Sequence, residues 1–82
     1  MQFVTGSRLN PAMISKHLTQ AEEQVAIGAR NIAKQRQILA ELEADGHYSS
    51  EARTMLANFE RNQRMNLFHR ERVMQELAHS RK

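Results

Sequence analysis

The sequence predicts an all-α fold: an antiparallel two-helix hairpin, coiled-coil-like, that dimerises into a four-helix bundle. Three observations carry this. Leu18, Val25, Ile32 and Leu39 recur at strict heptad spacing, and Ile14, Ala21, Gly28, Gln35 and Leu42 fall between them. The beat stops at Asp45-Gly46-His47-Tyr48, and an amphipathic pattern resumes after Ser49. A short break between two long helical patterns makes them antiparallel neighbours.

The expected elements follow in chain order. Residues 1–9 read as a flexible N-terminal arm, with Thr5-Gly6-Ser7 at its centre. Asn10 suits the N-cap of helix 1, and Pro11 suits its first position, where no backbone N–H is required. Leu9 and Ile14 hold the two positions of a hydrophobic staple. From Pro11 to about Asp45 there is no further proline and alanines abound. That run of about 35 residues gives roughly 50 Å of helix. Gly46 is placed to take the left-handed conformation that ends a helix. The turn covers 46–49. Ser49 or Ser50 caps helix 2, Glu51 favours its positive end, and the helix runs to about 79, leaving 80–82 frayed.

The inward stripe of helix 2 reads Leu56, Phe59, Gln63, Leu67, Arg70, Met74 and Leu77. A symmetric turn would then pair Gly28 with Leu67, Ala21 with Met74, Ile32 with Gln63 and Leu18 with Leu77. Large opposes small at the first two of these layers, which is how helices approach closely. Gln35, Gln63 and Arg70 are polar residues within the seam. Such residues set register at a cost in stability, or Arg70 snorkels outward along its stem.

A chain of 82 residues holds one domain. Two helices alone bury such a seam only partly, and ordering each residue costs on the order of 1.5 kcal/mol. Further apolar residues lie off the seam, namely Met13, Ile27, Ile38, Met55, Met65 and Phe68. Ile27, Ile38, Met55 and Met65, together with Met74, are the candidates for self-association, with a homodimer favoured.

Composition narrows the chemistry. There is no cysteine, so neither a disulfide framework nor a thiolate metal site is available. No apolar run approaches the ~20 residues that span a bilayer, and no secretory leader is visible. A cytoplasmic protein off the membrane is the expectation. The net charge of +3 resides in the second half, because residues 1–48 balance five basic against five acidic residues.

No enzyme constellation emerges. Gly6, Gly28 and Gly46 are isolated, so there is no phosphate loop. Glu76-Leu-Ala-His79 has the Glu-x-x-His spacing of di-iron bundles, and the symmetric pairing puts His17 near His79 with Glu22 a turn away. One such motif at a helix end falls short of a metal site, and no metal or cofactor is expected. His17 and His69 lack the acidic residue that follows a phosphoryl-accepting histidine. The expected role is a non-enzymatic protein–protein interaction or structural module, such as a small regulatory adaptor. The alternative is a weak nucleic-acid or acidic-partner binder. Arg61, Arg64, Phe68 and Arg72 fall along one stripe of helix 2 and are its contact candidates, with Arg70 beside them. Glu60, Glu71 and Glu76 interrupt the stripe, which weighs against nucleic acid.

The runs HLTQAEEQVAIGARNIAKQRQILAELEADGH, SSEARTMLANFERNQ and HRERVMQEL resemble a group of small bacterial helical-hairpin proteins without assigned function. The resemblance spans about His17 to Leu77. It implies a self-contained bacterial hairpin and supplies no catalytic or binding residues.

Overall fold

The computed structural model describes residues 10–80, and the arm at 1–9, Leu9 of the staple and the last two residues lie outside that range. Two α-helices, α1 (Pro11–Ala44) and α2 (Ser50–Ser80), pack side by side in opposite directions. They form a rod of 60 × 20 × 14 Å.

Local chemistry sets each end. The Asn10 side chain accepts from the Ala12 N–H at 2.9 Å, and Pro11 follows in the first turn. At the far end Gly46 adopts φ 73°. Its N–H donates to the Glu43 carbonyl at 3.2 Å, and the His47 N–H donates to the Leu42 carbonyl at 2.9 Å. These two bonds make a Schellman motif, which satisfies carbonyls that the helix end would otherwise leave bare. The Arg53 N–H donates to the Ser49 carbonyl, the bond that opens α2.

The seam of α1 keeps the heptad beat throughout. Ile14, Leu18, Ala21, Val25, Gly28, Ile32, Gln35, Leu39 and Leu42 are all buried or half-buried. α2 keeps the same alternation of three and four, and this corrects the expected stripe. Its inward residues are Ala52, Leu56, Phe59, Gln63, Asn66, Arg70, Val73 and Leu77, whereas Leu67 and Met74 are exposed. Ile14, Val73 and Leu77 form the core cluster, with Leu18 packed against it.

The pairing differs from the expected one by about one helical turn. Gln63, expected opposite Ile32, sits against Gly28, and Leu77, expected opposite Leu18, packs with Ile14. The Schellman bonds supply the reason. By His47 the chain has already returned to the level of Leu42, so the backward leg starts earlier than a turn centred on 46–49 would allow.

Polar contacts hold this register at mid-rod. The Gln63 amide donates to the Val25 carbonyl at 2.8 Å, and the Asn66 amide donates to the Gln24 carbonyl at 3.5 Å. Nearer the turn, buried Gln35 donates to the Ala52 carbonyl at 3.4 Å. A slip of one turn would strand these groups, at about 1–3 kcal/mol for each buried group left unsatisfied. Gly28 is what admits the Gln63 amide. A Cβ there would overlap the amide oxygen and lie 2.7 Å from Cδ.

A double-mutant cycle reads that contact. Alanine gains about 1 kcal/mol over glycine inside a helix. Gly28→Ala should realise that gain in a Gln63→Ala background and lose it, or become destabilising, in the wild type. Urea denaturation should therefore show a coupling of about 1–2 kcal/mol between the two sites. Additive effects would contradict the Gly28–Gln63 contact.

Candidate interaction surface

The heptad geometry divides the rod into two flanks of different chemistry. One flank is closed by ion pairs between the helices. Arg36 pairs with Glu60 at 3.1 Å, and Arg53 pairs with Glu43. Arg36 and Glu43 are seven residues apart, as are Arg53 and Glu60, so both pairs lie along one edge. Leu67 and Met74 continue that edge at further seven-residue steps. Met74 therefore stands on the flank opposite the other four candidates for self-association.

The second flank is apolar at its centre. Ile27 and Met65 line one groove between the helices, together with Asn31 and Asn62. Ile38 and Met55 lie one heptad beyond Asn31 and before Asn62, and Met13 lies two heptads before Ile27. All five apolar residues are exposed, Met65 to 65%. No ion pair crosses this flank among the described residues. Toward the open end it turns polar, where His17, Gln20, Gln24, His69 and Glu76 line a second groove.

A third groove runs along the outer side of α2. Arg61, Arg64, Met65, Phe68 and Arg72 all line it, so the structure brings together every contact candidate of the basic stripe. The Arg72 guanidinium stands 5.8 Å from the Phe68 ring centroid. Arg61 donates to the Asn58 side chain at 2.8 Å. Arg70 belongs to the seam rather than to this groove. Its Nε is buried and has no hydrogen-bond partner among the described residues.

The histidines do not assemble a metal centre. His17 shares its groove with His69 and Glu76 rather than with His79, a consequence of the one-turn shift. The His79 ring nitrogen lies 3.1 Å from the Gln75 carbonyl. Among the described residues no three His, Asp or Glu side chains are grouped to hold a metal ion. No described helix is long and apolar enough to cross a membrane.

Comparison of the chain with protein-family models, with curated proteins and with solved structures gives no match.

Proposed function

We propose that the chain is a non-enzymatic interaction or structural module that works as a homodimer, two hairpins forming a four-helix bundle through the Ile27 flank. The observation that carries this is the imbalance between what the hairpin buries and what it leaves out. Among the described residues the buried apolar ones are Ile14, Ala21, Val73 and Leu77, and none of their side chains is fully buried. Ile27, Ile38, Met55 and Met65 meanwhile stand exposed on one flank. Burying them would contribute about 1.5–3 kcal/mol each at full burial, which a lone hairpin forgoes.

The dimensions suit the assembly. A flank on a rod 60 × 20 Å offers about 1,000 Å² per partner, above the ~800 Å² of a standard stable interface. Isologous pairing of one flank with itself forms a closed dimer and leaves the ion-paired edge to solvent. A small adaptor that presents its outer helix faces to other proteins is the role this architecture serves.

Thermal melts at rising protein concentration test the reading. If folding and association are linked, a hundredfold increase in concentration adds about 2.7 kcal/mol, so the melting temperature climbs by about 5 °C or more. A melting temperature independent of concentration would show that the hairpin stands alone.

A further inference from the structure

Phe68 is left unexplained by self-association through the Ile27 flank. It stands seven residues from both Arg61 and Gln75, on the ridge of α2 that points away from α1, and is 65% exposed. Met65 beside it is equally exposed. The arginines around them differ from those nearer the turn. Arg36 and Arg53 each have a carboxylate partner, whereas Arg61, Arg64 and Arg72 have none among the described residues. This open surface is formed by α2 alone, and among the described residues Glu76 is its single acidic lining residue.

The geometry points to this outer groove as the docking site for an acidic amphipathic helix of a partner protein. Phe68 supplies the apolar anchor. Arg61, Arg64 and Arg72 flank it and meet carboxylates, for which a guanidinium offers paired donors. Aromatic and arginine side chains together are the composition of binding hot spots. Charge complementarity selects this occupant, and two others fit less well. The acidic stretch of this chain itself, Glu41 to Asp45, turns its Leu42 into the hairpin seam and so presents charge without an apolar stripe. The phosphates of a nucleic acid would meet Glu76 on this surface.

Fluorescence anisotropy tests the site on the full chain. The probe is a labelled synthetic peptide with leucine at helical positions i, i+3, i+4 and i+7 and glutamate elsewhere. A scrambled peptide of the same composition and a thymidine oligonucleotide serve as competitors of other kinds. The helical peptide should bind saturably and lose affinity as salt rises. Phe68→Ala and Arg64→Glu should each weaken it about tenfold. Helicity and sedimentation mass should stay unchanged in Phe68→Ala, because the side chain lies outside the seam. Four results would each overturn the proposal: no saturable binding at low salt, equal affinity for the scrambled peptide, tighter binding of the oligonucleotide, or Phe68→Ala that alters the sedimentation mass or leaves the affinity intact.

Discussion

Val73→Asp unfolds the hairpin, whereas Met74→Asp leaves it folded. Val73 is 6% exposed and packs with Ile14 and Leu77 in the core cluster. A carboxylate there has no partner to offset its desolvation, a cost of several kcal/mol. A core in a chain this short supplies only about 3–5 kcal/mol in total, so the substitution removes most of it. Met74 is 43% exposed and continues the edge that carries Arg53 and Glu60. An aspartate there stays in water and should change stability by no more than about 0.5 kcal/mol. Far-ultraviolet circular dichroism with urea titration reads both variants. The reverse outcome, with Met74→Asp unfolded and Val73→Asp folded, would restore the stripe through Leu67 and Met74.

Ile27→Glu breaks the assembly. Ile27 is 41% exposed on the hairpin, so a glutamate there meets solvent in the separated chain. In the proposed bundle it would enter a face where both copies contribute the same charge. Burying an unpaired carboxylate costs about 3 kcal/mol or more per copy. Each 1.4 kcal/mol is tenfold, so the dimer should weaken more than a hundredfold. Ala33→Glu is the control, since Ala33 is exposed and lies off the groove that Ile27 lines. Size-exclusion chromatography with light scattering should show Ile27→Glu shifted to half the mass and Ala33→Glu unshifted. Equal behaviour of the two variants would remove the Ile27 flank from the account.

Most of the architecture was legible because helix 1 writes its period without interruption. Leu18, Val25, Ile32 and Leu39 leave no second choice of inward face, and Asn10-Pro11 and Gly46 mark its ends. Helix 2 misled for a physical reason. Counting large apolar residues favours Leu67 and Met74 over Asn66 and Val73, yet a strict alternation of three and four from Leu56 selects Asn66 and Val73. A partner helix with an unbroken heptad was the signal that could have decided it, because two helices in a coiled-coil seam share one period. The register was less accessible. It depends on where the Schellman bonds bring His47 and on the fit of Gln63 over Gly28, and neither is a property of periodicity.

The grouping of the candidate surface residues was legible in part. Arg61, Arg64, Phe68 and Arg72 were grouped by spacing alone, and the outer groove holds all four. Ile27, Ile38, Met55 and Met65 share a flank, but Met74 falls on the other one, because its side follows from the seam it borders. Asn66 went unnoticed as a seam residue. A polar side chain in a stripe reads as outward-facing until a carbonyl or amide is found opposite it, and here the Gln24 carbonyl fills that role.

Sedimentation equilibrium of the full chain at micromolar concentration tests the assembly most directly. The account predicts a mass of twice 9.5 kDa, relaxing toward the single-chain value only on dilution. A well-folded, fully helical species of 9.5 kDa throughout that range would contradict it.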